Sequence, residues 1–490
     1  MFSSASSSST RFQNQFWLLS LLGVAGSLVA GALISLLGVI GAAVVIILPV
    51  AGLVLAGVLS EPRIGLLCYL QLSFLLNVFA RFLPISAPFG TLIDVVLVLT
   101  LISCFINGQR MNWRRLRHPV FFVLLFWTFF TILQYFNPEA PYRPAWFFHF
   151  RTFSMYWILA ATALLVVPIK KSDIQVLIKT WLVWSFLAAL WSFKQQYIGL
   201  TANEMAWLNA GADRTHILFG HLRSFSFYTD ASQFGAEMAG VALMCLIWVF
   251  DSKKIVNRAV YLLLAGVYFW GYAVSGTRSA LFVLVAGFGF YLILKRDFIK
   301  ILAGLCLAIP IYLLLMYTDV GSSNYQVQRI RSALRPMEDP SFLLRLHNKE
   351  KLARRLEDLP FGAGLGTSES VGQRFSPEHW ASQIAPDSWY VILWIETGRV
   401  GMVIYIAMVV FIVLLATLQI WKLKDPDLLV MMTALLAEFV GIVVMAYSNP
   451  VVGQFPTSSI IFINSIILTT CTRWDTKVEK PEVATEAVLA

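Results

Sequence analysis

The sequence predicts an all-α fold: a polytopic membrane helical bundle with about fourteen transmembrane helices and one large extracytoplasmic loop. Three observations predict it. Hydrophobic residues make up 58% of the 490 positions and charged residues 13%, where a soluble chain devotes about a quarter of its length to charge. Apolar runs near the roughly 20 residues that a spanning helix needs follow one another almost end to end. Basic residues gather in alternate interruptions between those runs.

The polar tail 1–15 comes first. The apolar stretch behind it is too long for a signal-peptide core and has no convincing cleavage site, so it reads as the first membrane helix. Apolar segments then fall at 16–36, 39–59, 64–83, 88–106, 119–136, 147–167, 178–197, 231–250, 258–275, 279–295, 299–317, 388–421, 427–447 and 456–472. Residues 16–59 form one run, split near Leu37-Gly38. The 388–421 stretch exceeds one straight crossing and reads as a short dipping helix, a break at Thr397-Gly398, and then a span. The chain thus divides into a cytoplasmic tail (1–15), the first part of the membrane domain (16–317), a large outer loop (318–387), the last spans (388–472) and a polar, disordered cytoplasmic tail (473–490).

Orientation follows from charge. With a cytoplasmic amino terminus, alternate short loops hold Arg63, the Arg110–Arg117 cluster, Lys170-Lys171, Lys253-Lys254, Lys295-Arg296, Lys422 with Lys424, and Arg473. The intervening short loops hold almost none, Arg81 and Arg143 excepted, which is the positive-inside bias. The net charge of +10 is therefore topological, and no basic domain points to nucleic acid. The five cysteines lie in or beside apolar runs without metal-ligand spacing and read as packing residues.

This orientation isolates the polar residues that topology does not explain. Arg278, in AVSGTRSALF, sits at the outer mouth between two apolar helices, in a turn that Ser275-Gly276 makes easy. Arg223, in HLRSFSFYTDASQFG, lies just before a span, and Arg151, in WFFHFRTFSMYW, lies inside one near its outer end. Snorkelling or pairing with a nearby acid is the alternative for each. Mid-span positions otherwise read as overwhelmingly apolar, with the polar residues gathered at the outer mouth. In the outer loop, FLLRLHNKEKLARRLEDL is an amphipathic helix that either lies on the bilayer or helps capture substrate. Arginines converging on an outer site suit a phosphate-bearing ligand, because a guanidinium forks onto phosphate.

Four stretches in order carry a resemblance to a known family: RSFSFYTDASQFG (223–235), SGTRSA (275–280), LPFGAGLG (359–366) and PDSWYVILWIETGRVG (386–401). The last holds a polar pair, an aromatic and E-x-G-x-x-G. Together they resemble the O-antigen ligase and polymerase superfamily of bacterial polysaccharide assembly, over about the last 270 residues and the span count. The resemblance implies a GT-C-like glycosyltransferase in the bacterial inner membrane, multi-pass, with both termini cytoplasmic and the active face extracytoplasmic. It implies undecaprenyl-diphosphate-linked glycan as substrate, and a flippase and a chain-length regulator as neighbours in assembly. Carried across, Arg223 and Arg278 clamp the diphosphate with Arg151 as a weaker third member. A base from the long loop activates the acceptor hydroxyl.

Ligases of that family carry histidine where Asp387 stands here, and an aspartate in that place resembles the polymerase branch. Asp387 is then the general base, or alternatively the cap of the following helix. His379 and His347 are loop alternatives. Arg331 and Arg335, on one helical face, either guide anionic glycan or pair with Glu338 and Asp339. LPFGAGLG follows no strand and reads as a turn packing the loop onto the membrane domain, not as a nucleotide loop. No cofactor or metal is called for, and the outer face has no D-x-D pair. The expected activity is polymerisation of lipid-linked repeat units. A ligase acting on a lipid or protein acceptor is the alternative, and a small-anion transporter the second.

Overall fold

The computed structural model describes residues 35–36, 38–83, 88–218, 220–251, 254–296 and 340–475, with isolated positions between 306 and 337. Helices lie over twelve of the fourteen expected segments. The other two, 16–36 and 299–317, fall wholly or mostly outside the described residues. Seven helices are long and apolar enough to cross a membrane: Pro62–Phe82, Pro119–Phe136, Lys171–Tyr197, Ala231–Asp251, Arg278–Lys295, Trp389–Ile420 and Pro426–Met445. Shorter apolar helices lie at Leu48–Ser60, Thr91–Ile106 and Thr457–Thr469. The fold is a helical membrane bundle, and among the described residues its strands amount to one antiparallel ribbon, β1 (Ile217–Leu218) against β2 (His221–Leu222).

In chain order the bundle runs α1 (Val39–Ser60), α2 (Pro62–Phe82), α3 (Thr91–Ile106), α4 (Pro119–Leu133), α5 (Trp146–Phe150), α6 (Tyr156–Val166) and α7 (Lys171–Tyr197). The short α8 (Ala202–Trp207) and α9 (Asp213–His216) precede the ribbon, and α10 (Ala231–Asp251), α11 (Ile255–Ser275) and α12 (Leu281–Lys295) follow it. Then come α13 (Pro340–Arg355), α14 (Glu369–Phe375), α15 (Trp380–Gln383), α16 (Trp389–Ile420), α17 (Pro426–Met445) and α18 (Thr457–Thr469). Local chemistry explains the starts. Proline opens α2, α4 and α17, where its missing N–H is not needed. Asp425 adds a cap to α17, accepting from the N–H groups of Asp427 and Leu428.

Helix α10 is the buried centre, packed against α11, α12 and α17. Helices α12 and α17 meet backbone to backbone. A Cβ at Gly287 would lie 2.6 Å from the Ala437 carbonyl oxygen, and one at Gly441 would lie 2.6 Å from that of Val283. Small residues permit this approach in membrane bundles.

Most of the ion pairs and basic side chains gather at two ends. At one end Arg63 reaches Asp173 and the Pro168 carbonyl, Lys171 pairs with Asp425, Lys295 with Asp251, and Arg473 donates to the Leu164 and Leu165 carbonyls. The final tail begins packed here, with the Asp475 carboxylate accepting from the Lys424 N–H at 2.6 Å. At the other end lie the turns after α2, α4, α7, α11 and α17, together with α13–α15.

Candidate functional site at the far end of the bundle

Arg223 is a brace within this end. Its Nε donates to the Ser275 carbonyl at 3.1 Å, one Nη to the Thr215 carbonyl at 2.8 Å, and the other to Thr277 Oγ1 at 3.1 Å. The neighbouring Ser224 N–H donates to the Val274 carbonyl at 3.0 Å. The RSFSF stretch is thereby fastened to the SGTRSA turn. Gly276 makes the turn possible, closing α11 at φ +58 in the left-handed region. Arg278 follows two residues later, half-buried, in a 3-10 turn that opens α12. Beside it, Asn449 from the α17–α18 loop donates to the Ser279 hydroxyl.

Arg81 completes this corner. Its two Nη groups each donate at 2.7 Å, to the Ser226 and Tyr228 carbonyls, and its guanidinium lies over the Trp207 and Phe225 rings. The sequence marks Arg81 only as an exception to the charge bias. Asp230 caps α10 through the N–H groups of Ser232 and Gln233 and accepts from Gln454 at 3.2 Å.

The other two family-like stretches also meet. The α16 helix breaks at Gly398, φ +67, where the expected break lies. The LPFGAGLG loop fills the break. Ala363 N–H donates to the Ile395 carbonyl at 2.8 Å, Gly364 N–H to that of Glu396 at 3.1 Å, and Val400 N–H to that of Pro360 at 3.1 Å. The glycine-rich stretch is a packing turn.

The break presents Glu396, 0% exposed, to three donors. His149 Nδ1 lies 2.8 and 2.7 Å from its two oxygens. The Ser368 N–H and hydroxyl donate to it at 3.0 and 2.7 Å. His149 itself sits on α5 just before a π-helical turn, Arg151–Met155, a device that recurs at functional sites. Glu369 follows as the first residue of α14, half-buried, with a non-glycine φ of +53. Burial pushes its carboxyl up to about 7, His149 pulling it down and Glu396 and Asp230 adding to the rise. Neither His149 nor Glu369 stands out in the sequence. Only the E-x-G-x-x-G spacing hints that Glu396 is held in a particular place.

The remaining expected residues are more peripheral. Arg151 is tied to Asp94, Nε to Oδ1 at 3.0 Å and Nη2 to Oδ2 at 2.8 Å, with Tyr156 Oη 2.7 Å from its Nε. Asp387 does not cap α16, correcting that alternative: Ser388 holds the N-cap position and no side chain caps the helix. Asp387 lies instead 3.7 Å from Arg345 Nε, in a shallow cleft that Lys349 and Tyr447 also line. Burial raises its carboxyl, and Arg345 and Lys349 oppose the rise.

His379 caps α15, its Nδ1 accepting from the Ala381 N–H at 3.3 Å. Burial lowers its titration, with Glu139 opposing. Arg331 donates to the Val320 carbonyl at 2.6 Å and lies 3.7 Å from Asp319. Arg335, Glu338 and Asp339 lie outside the described residues. The amphipathic α13 does not simply float. Its Leu352 packs, with Leu356, against Ala363, Ala381, Val391 and Ile395.

The interior, overwhelmingly apolar as expected, also holds two buried acids: Glu237 on α10 and Glu438 on α17 are each 2% exposed. Trp181 and Ser185 donate to Glu237, and Asn464 donates to Glu438 at 3.5 Å. A single acid in a long apolar run is diluted in any hydropathy window, so the sequence pattern hides both. Among the described residues, no group of three or more His, Cys, Asp and Glu side chains is arranged to hold a metal ion.

Comparison with known proteins adds no family: no protein-family model matches the chain, and no curated protein matches it.

Proposed function

We propose that this chain is a membrane glycosyltransferase that acts on polyprenyl-diphosphate-linked oligosaccharides at the extracytoplasmic end of its bundle, extending a surface polysaccharide repeat by repeat. One observation carries the reading: the four family-like stretches, far apart in sequence, join in two contacting pairs at one end of the bundle. Arg223 is bonded to the 275–277 turn, and the 359–366 loop is bonded to the 395–400 break. The opposite end collects Arg63, Lys171, Lys295 and Arg473, the residues a cytoplasmic face requires. On this reading there are about fourteen crossings, and both termini are cytoplasmic.

In the proposed reaction the donor diphosphate lies against the turn bearing Arg278. Negative charge grows on the leaving diphosphate as the glycosidic bond breaks, and a fixed cation there stabilises the transition state. Arg223 sets that turn in place. Arg151 has Asp94 as partner and acts through the local field. Asp387 and its cleft, with Arg345 and Lys349, are a second anionic-ligand surface beside the mouth.

Replacing Arg278, Arg223 and Asp387 singly by alanine in the native host tests the reading. Shortened or absent polysaccharide is expected for Arg278→Ala. Normal chain length in all three, at normal protein levels, sinks it. Product analysis separates the branches. Loss of a polymerase leaves single repeat units on their acceptor, and loss of a ligase leaves long chains on the carrier lipid.

A transporter of small anions is the second reading, and the buried Glu237 and Glu438 favour it, since ionisable residues inside a bundle mark ion pathways in many carriers. It predicts ion flux in proteoliposomes that Glu237→Gln and Glu438→Gln abolish while polysaccharide length stays normal.

A further inference from the structure

We propose that His149, held by Glu396, is the general base of the transfer reaction; this rests on the glycosyltransferase reading above. The geometry is that of an oriented imidazole. A carboxylate with no exposed surface bonds Nδ1 at 2.7 and 2.8 Å. Such a bond fixes the tautomer with hydrogen on Nδ1, leaves the lone pair on Nε2, and stabilises the imidazolium formed when Nε2 takes a proton. Among the described residues Nε2 has no hydrogen-bond partner, and the side chain keeps 10% of its surface open.

Glu396 is itself over-determined. The Ser368 N–H and hydroxyl bond one oxygen, and its backbone carbonyl receives the Gly364 N–H. The stacked Phe153 ring, 5.6 Å from the imidazole and 12° from parallel, fixes the remaining freedom of His149. The charged groups facing the imidazole from neighbouring elements are Glu396 on α16 and Glu369 on α14. Arg374 of α14 lies over the adjacent Phe148 ring, and Arg151 is held by Asp94.

Glu369, at the start of α14, feels the charges of His149, Glu396 and Asp230. Asp230 opens α10 beside Ser232, which Arg223 contacts at 3.5 Å. Asp387, by contrast, has two basic side chains in its own cleft.

In the step itself, Nε2 takes the proton of an acceptor sugar hydroxyl while that oxygen forms a bond to the anomeric carbon. The bond from the anomeric carbon to the diphosphate oxygen breaks, and its electron pair leaves with the lipid diphosphate at the Arg278 turn. The imidazolium then releases its proton to water. Glu396 and Ser368 are positioning residues.

The test uses the full-length protein in nanodiscs, with lipid-diphosphate-linked repeat units extracted from a host strain lacking it. His149→Ala is expected to lower kcat by about 100-fold or more, the span typical of a lost general base, with donor KM changed little and activity partly restored by added imidazole. Glu396→Gln keeps the shape but not the charge, and should move the acid limb of the rate profile to lower pH. If His149→Ala keeps most of its activity while Arg278→Ala is inactive, the base assignment is wrong and the glycosyltransferase reading stands. Full activity in both variants removes that reading and this one with it. Should His149→Ala not fold, the Glu396→Gln profile decides, and an unmoved acid limb overturns the proposal. Loss of the acid limb in Asp387→Asn would instead assign the base to Asp387.

Discussion

Gly362 and Gly398 pack backbone against backbone: a Cβ on Gly362 would lie 2.5 Å from the Gly398 nitrogen. Both residues have positive φ, +71 and +67. This contact seats the outer loop in the break of α16, and Glu396 receives His149 two residues before the break. Any side chain at either glycine meets main chain, which does not yield. Gly398→Ala should cost about 1–3 kcal/mol from the backbone conformation alone, and more from the collision. It is read as a lower melting temperature of the detergent-purified protein. An unchanged melting temperature would show that the loop seats differently.

Arg151 and Asp94 form a forked ion pair with side chains 12% and 21% exposed. Removing one partner strands the other in a poorly solvated place. Asp94→Ala should destabilise by about 2 kcal/mol, somewhat less than is usual for fully buried pairs. The double variant Asp94→Ala with Arg151→Ala should recover part of that loss. If Arg151→Ala abolishes activity while the double variant stays stable and inactive, Arg151 has a role beyond pairing.

Arg223 acts through the turn that carries Arg278, so the two should not be additive. Arg223→Lys keeps the charge but not the fork onto Ser275, Thr277 and Thr215. We expect roughly a tenfold loss of activity from it alone, and almost no further loss in an Arg278→Ala background. Additive losses would mean that Arg223 meets the ligand independently.

Glu369 makes stability depend on pH. Its folded carboxyl titrates at about 7 against an ordinary 4.5, so between those values the folded state binds more protons than the unfolded one. Stability must therefore fall as pH rises from about 4.5 to about 7. Glu369→Gln should flatten this part of the curve and be the more stable form at pH 7. A wild-type melting temperature that rises across the window would contradict the burial of this group.

Sidedness is open to direct labelling. Gln109 is exposed at the end that holds Arg63 and Lys171, and Glu139 is exposed at the other. In a background with the exposed Cys306 replaced by serine, Glu139→Cys in whole cells should react with an impermeant maleimide and Gln109→Cys should not. The reverse result inverts the proposed topology.

The helical membrane class was legible at once, because a lipid-facing helix must be apolar along its whole length and that pattern needs no partner. The break at Gly398 was legible for the same reason, since 388–421 is too long for one crossing and holds a glycine near its start. Single polar residues were far less legible. Arg223, Arg278 and Asp387 stand out from topology, yet their sequence neighbours say nothing of Ser275, Asn449 or Arg345, which they or their turns meet.

What the sequence by itself determined is which segments are helices and how charge divides between loops, both of which depend on solvation of each segment alone. Tertiary structure alone decided that His149 meets Glu396 across 247 positions, that Arg151 is paired, and that two glutamates lie inside the bundle. Such partnerships depend on which helix faces pack together. A buried polar group needs a partner, and that partner is chosen in space, not along the chain.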